Sequence, residues 1–127
     1  MMNIILVGLG GAIGSIARYL TGTWVQTYFK AIAFPVGTLA VNVIGCFIIG
    51  VLSQISDSRD LINNQYRVFL FFGFLGGFTT FSSFGNDTVN LARSGEFFFA
   101  SANILGNVIV GLLAVGFGRT LTAFFLK

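Results

Sequence analysis

The 127-residue chain is 55% hydrophobic and only 9% charged, a composition outside what a soluble domain of this length tolerates and one that marks an integral membrane protein. It has no histidine, one cysteine (Cys46) and four acids (Asp57, Asp60, Asp87, Glu96) placed in or near connecting segments, so a disulfide framework, a cysteine-based metal site and a buried proton relay all lack their parts. The net charge of +3 comes from seven scattered bases, which argues against nucleic acid as a partner.

A bilayer crossing needs about 20 mostly apolar residues, and four windows reach that length. The first runs from Ile4 to Phe29. Its "VGLGGAIG" at 7 to 14 departs from a dinucleotide-binding turn at Ile13, and no βαβ pattern follows; Gly10 and Gly14 read instead as a small-xxx-small packing pair. Arg18, eight residues after Gly10, shares that face. It can snorkel to the interface, pair with Asp87 or draw anions into a vestibule.

The second window runs from Ala31 to Ser53, with Pro35 in its first turn, where proline is tolerated. Asn42 is its one strongly polar residue and shares a face with Thr38. An amide there donates hydrogen bonds without formal charge, which suits either an anion path or an interhelical bond.

The third window, Tyr66 to Ala92, contains "GFLGGFTTFSSFGND" at 73 to 87. Gly73 and Gly77 form a second small-xxx-small pair. Gly76 and Gly77 weaken a helix, and the hydroxyls of Thr79 and Thr80 compete for its backbone bonds, so the helix is expected to break in mid-membrane. Freed carbonyls at that depth need a partner. Either the break is a packing kink without an ion, or two copies meeting there offer four carbonyl oxygens to a monovalent cation such as Na+. Beyond the break Phe81, Phe84 and Thr88 fall on one helical face, with Thr80, Ser83 and Asp87 beside it. Phenylalanines so spaced usually make core or lipid contacts, yet the positive edge of a ring also tolerates an anion.

The fourth window, Phe97 to Phe125, carries Asn103 and Asn107 one turn apart. The connectors, around Lys30, "SDSRDLINN" at 56 to 64 and "RSGE" at 93 to 96, leave no room for a soluble domain, so residues 1 to 127 form one four-helix transmembrane domain. One side of the membrane receives Arg59, Arg67, Arg119 and Lys127, the other Lys30 and Arg93. So weak a bias permits insertion both ways, and hence an antiparallel pair of copies.

At these residues the chain resembles the small bacterial fluoride channel family, the CrcB/Fluc proteins. "GGAIGSIARY" at 10 to 19, "GTLAVNVIGCFIIG" at 37 to 50 and "GFLGGFTTFSSF" at 73 to 84 match its three signature segments in order and spacing. The resemblance implies a channel, not an enzyme: a dual-topology antiparallel homodimer in the bacterial cytoplasmic (inner) membrane, with two fluoride pores and a central structural Na+. It implies that the carbonyls of Gly76 and Thr79 hold the Na+, that Phe81 and Phe84 line the pores, and that Asn42 donates to fluoride. Thr80, Ser82 and Ser83 would supply hydroxyls along the path, and Arg18 would stand near its aqueous entrance. Ser83 replaces a common threonine, and "GND" at 85 to 87 replaces a small-x-Glu. Two rivals are a small multidrug-type exporter, whose first helix would need an acid where this chain has none, and a non-transporting scaffold, which leaves the broken helix unexplained.

Overall fold

The computed structural model describes residues 1–59 and 62–127. Asp60 and Leu61, within the expected second connector, lie outside the described residues, as does the side chain of Arg59.

The described chain is helical, and four of its helical stretches are long and apolar enough to cross a membrane. Helices α1 (Met2–Tyr28) and α2 (Val36–Arg59) are the first two spans. The third span joins α3 (Asn64–Arg67), a π-helical stretch (Val68–Leu75), a single turn α4 (Gly76–Phe78) and, after an interruption, α5 (Phe81–Arg93). The fourth joins α6 (Phe97–Leu105), a second π-helical stretch (Gly106–Val110) and α7 (Gly111–Phe125).

Boundaries follow local chemistry. Proline disfavours helical backbone at the residue before it, so α2 starts at Val36 rather than at Ala31, with the Pro35 carbonyl accepting from Leu39 N–H (3.2 Å). At its far end α2 continues past Ser53 to Arg59 and absorbs part of the expected connector. Gln54 Nε2 donates to Ser58 Oγ (2.9 Å), and Arg119 from α7 grips the Asp57 carboxylate at 2.9 and 3.0 Å, so the added turns have partners. Asn63 starts the third span by accepting from Tyr66 N–H (3.0 Å). After α5, Gly95 takes a left-handed φ of 79°, which favours glycine, and turns the chain into α6.

The two small-residue pairs read from the sequence face each other. A Cβ on Gly10 would stand 2.8 Å from Phe74 N and 3.0 Å from the Gly73 Cα, and one on Gly77 would stand 3.1 Å from both the Gly11 Cα and Ser15 N. Backbones that close admit no side chain, so α1 lies directly against the upper third span. Gly50 and Gly118 join α2 to α7 in the same way, each facing backbone of the other helix. The interior is consequently thin: Val41, Leu75, Phe78 and Ala100 are buried, together with the polar Thr80, Asn103 and Thr122. Large apolar side chains such as Leu112, Leu113 and Phe124 point outward, as lipid-facing residues do.

Candidate functional site: the break in the third span

The third span opens at two consecutive extended residues, Thr79 (φ −89°, ψ 157°) and Thr80 (φ −148°, ψ 112°). Gly76 and Gly77, expected to loosen the helix, are helical themselves. The threonines make the break. Thr79 turns both its N–H (3.0 Å) and its hydroxyl (2.9 Å) to the Leu75 carbonyl, closing the upper helix. Thr80 then caps α5, its hydroxyl oxygen accepting from Ser83 N–H at 3.1 Å.

An interruption at membrane depth strands backbone groups, and Asn42 takes up two of them. The Thr80 N–H, which an unbroken helix would aim at the Gly76 carbonyl, donates to Asn42 Oδ1 (2.8 Å), while Asn42 Nδ2 donates back to the Thr80 carbonyl (3.1 Å). One side-chain amide thus stands in for a missing peptide neighbour. The second Asn42 proton goes to Asn107 Oδ1 (2.8 Å). Asn107 Nδ2 donates to the Asn103 carbonyl (2.9 Å) and to Asn103 Oδ1 (3.0 Å); Asn103, with no exposed surface, donates to Thr88 Oγ1 (2.9 Å), and Thr88 donates to the Phe84 carbonyl (2.7 Å). This relay binds the second, third and fourth spans together. Asn103 and Asn107, read from the sequence only as residues on a plausible face, are its centre.

Two cavities meet at Thr80, which lines both. The larger, about 510 Å3, carries Arg18 and Lys30 on its walls beside Gln26, Thr38 and Ser83. The smaller, about 380 Å3, is lined by Asn42, Gly76, Thr79, Phe81, Phe84 and Asn107 among others, with no charged side chain. Asp87 and Glu96 line a third cavity of about 590 Å3, which shares Gln26 and Thr38 with the larger one. Positive charge therefore lines one cavity, and uncharged polar and apolar residues line the next.

Each expected residue can now be placed. The Phe81 and Phe84 rings lie 5.3 Å apart at 55° to one another, and Phe81 is 84% exposed in a single chain, ready to meet lipid or a second copy. Thr80 Oγ1 donates to Ser83 Oγ at 3.0 Å and lies 3.3 Å from Ser82 Oγ; Ser82 itself is exposed. Arg18 is half-buried on the wall of the larger cavity. Among the described residues no ion pair joins it to Asp87, whose carboxylate accepts from the Thr38 hydroxyl at 2.8 Å. The described residues contain no group of three or more His, Cys, Asp or Glu that could hold a metal ion; Gly76 and Thr79, whose carbonyls the resemblance offers to a cation, both line the smaller cavity.

Gln26 escaped the sequence reading. Its Nε2 donates to the Phe34 carbonyl (3.1 Å) and its Oε1 accepts from Gly37 N–H (3.0 Å), capping α2 from the last turns of α1. The available signal was a helix that begins at proline without a Ser, Thr, Asp or Asn cap, preceded by an amide side chain.

The family model described as "CrcB-like protein, Camphor Resistance (CrcB)" matches residues 5–119. The chain is 44% identical over 118 residues to a protein of Chlorobium phaeobacteroides, covering 93% of this chain and 91% of that one. It is 46% identical over 120 residues to one of Solibacter usitatus (94% and 98%) and 47% identical over 118 residues to one of Parabacteroides distasonis (93% and 91%). All three relatives bear the name fluoride-specific ion channel FluC. With the model spanning nearly the whole chain and relatives matched almost end to end, this multi-pass membrane protein belongs to the CrcB-like family.

Proposed function

We propose that the chain is a passive, fluoride-selective channel of the bacterial cytoplasmic membrane, working as an antiparallel homodimer with two pores and carrying fluoride out of the cell. The observation that carries this reading is the pair of cavities meeting at Thr80, one with Arg18 and Lys30 on its walls and one lined by uncharged polar residues and the Phe81 and Phe84 rings. Fluoride is strongly hydrated, so its water must be replaced in stages, by groups that release it again. Arg18 and Lys30 gather the anion, the hydroxyls of Thr80, Ser82 and Ser83 take over part of its shell, and Asn42 with the edges of Phe81 and Phe84 completes the passage.

At the break, the Gly76 and Thr79 carbonyls of two copies provide four oxygens for a central Na+, whose role is structural. The Gly76 carbonyl suits it because the Thr80 N–H is turned away to Asn42. Sodium-dependent dimer mass in detergent, read by light scattering, checks this: a dimer that persists unchanged when a large organic cation replaces Na+ removes the central ion.

Growth tests the function. Expressed in a bacterium stripped of its own fluoride exporters, the chain is expected to restore growth in fluoride-containing medium. Membrane-inserted protein that gives no better growth than an empty vector contradicts the channel reading.

A further inference from the structure

The polarity of the asparagine relay is forced from both ends. Thr80 N–H can only donate, so Asn42 must present Oδ1 to it and Nδ2 to the Thr80 carbonyl and to Asn107. Asn107 must then offer its carbonyl to Asn42, leaving its Nδ2 for the Asn103 backbone carbonyl, a group that can only accept. The same logic makes Asn103 donate to Thr88 and Thr88 to the Phe84 carbonyl. None of the three relay amides is free to flip. Both Asn42 protons are therefore committed, and neither is available to an anion until one bond is given up.

The two bonds differ in what their loss leaves behind. Releasing the Thr80 carbonyl would strand a peptide group at the break, at membrane depth. Releasing Asn107 Oδ1 frees a side-chain carbonyl that lines the smaller cavity itself and whose own Nδ2 remains tied to Asn103 by two bonds. The Asn107 bond is the one that yields.

Resting on the channel reading, we propose that the Asn107 carbonyl is a built-in competitor for the passing ion: it occupies the position 2.8 Å from Asn42 Nδ2 that an anion must take to receive that proton. Asn107 thereby sets a threshold of acceptor strength and size. Fluoride, small and strongly accepting, displaces a neutral amide carbonyl; chloride, larger and weakly accepting, does not. Asn107 is a specificity-determining residue that acts by withholding a donor.

The test is a titration of purified, isotope-labelled protein with sodium fluoride and separately with sodium chloride, followed through the asparagine side-chain amide signals by NMR. Removing the competitor in Asn107→Ala is expected to lower the fluoride midpoint about three- to tenfold, the factor carried by one net hydrogen bond, and to admit measurable chloride binding. Asn107→Asp loses the two bonds to Asn103 but keeps an oxygen, and a stronger acceptor, for the Asn42 proton, and is expected to raise the fluoride midpoint. A residue that merely holds helices together would move both variants the same way. A midpoint that is unchanged or raised in Asn107→Ala overturns the competition. Where that variant fails to assemble, Asn107→Ser, whose hydroxyl is too short to hold the Asn42 proton, carries the same expectation. Wild-type protein that binds no fluoride strikes down the channel reading and this inference with it, whereas wild-type binding with unresponsive variants strikes down the competition alone.

Discussion

An anion that leaves water for the cavity beside Thr80 meets no charged side chain there. On the proposed path its hydration would be replaced by hydroxyls, the Asn42 amide and the edges of Phe81 and Phe84, whose hydrogens carry the positive part of the ring quadrupole. Isoleucine keeps the bulk of a phenylalanine approximately and loses the quadrupole. Phe81→Ile and Phe84→Ile are therefore each expected to slow fluoride flux at least about tenfold, the effect of roughly 1.4 kcal/mol on a barrier, while the particle keeps its size in detergent. Flux unchanged in both variants would show that the rings face lipid or protein and not the ion.

Among the elements, α1 and the upper third span form a tightly matched pair, because glycines on each face the other's backbone. Gly77→Ala puts a methyl 3.1 Å from the Gly11 Cα, an overpacking expected to cost about 1–3 kcal/mol and to lower the thermal midpoint in detergent. Gly8→Ala, which meets nothing within 4 Å in the chain, is expected to leave the midpoint unchanged or higher. A Gly77→Ala protein as stable as wild type would mean that the two helices can move apart at no cost. Much of this level was legible beforehand: hydropathy gave four spans close to their true extent, and the glycine spacing gave the faces that meet. The break was legible in kind and in place, since it falls at Thr79 and Thr80, whose hydroxyls compete for backbone bonds; the glycines before it were the misleading part, because Gly77 packs against α1 in helical geometry. The relay was less legible still. Asn42, Asn107, Asn103 and Thr88 lie as far as 65 residues apart in the chain, and nothing in local spacing says that one amide will answer another across three spans. The added turns of α2 depend likewise on Arg119 reaching Asp57, a contact between distant segments.

The charge distribution over the whole molecule leaves orientation open. Arg59, Arg67, Arg119 and Lys127 mark one side, Lys30 and Arg93 the other, and the Arg119 charge is partly offset by Asp57 at 2.9 Å. So small an excess lets the chain insert both ways, which is the condition for an antiparallel pair whose broken spans meet at the two-fold axis. In such a pair the largely exposed Phe81 ring would find a partner surface, and each copy would carry a cavity with basic walls opening onto one with neutral donors. The most direct measurement is fluoride efflux from proteoliposomes holding the purified protein, under an outward gradient with valinomycin and K+ to carry the balancing charge, repeated with chloride. Rapid fluoride loss that requires the ionophore, with chloride retained, is the expected result. Fluoride retained by liposomes that contain verified, folded dimer, or chloride lost as fast as fluoride, would contradict a selective channel at the break.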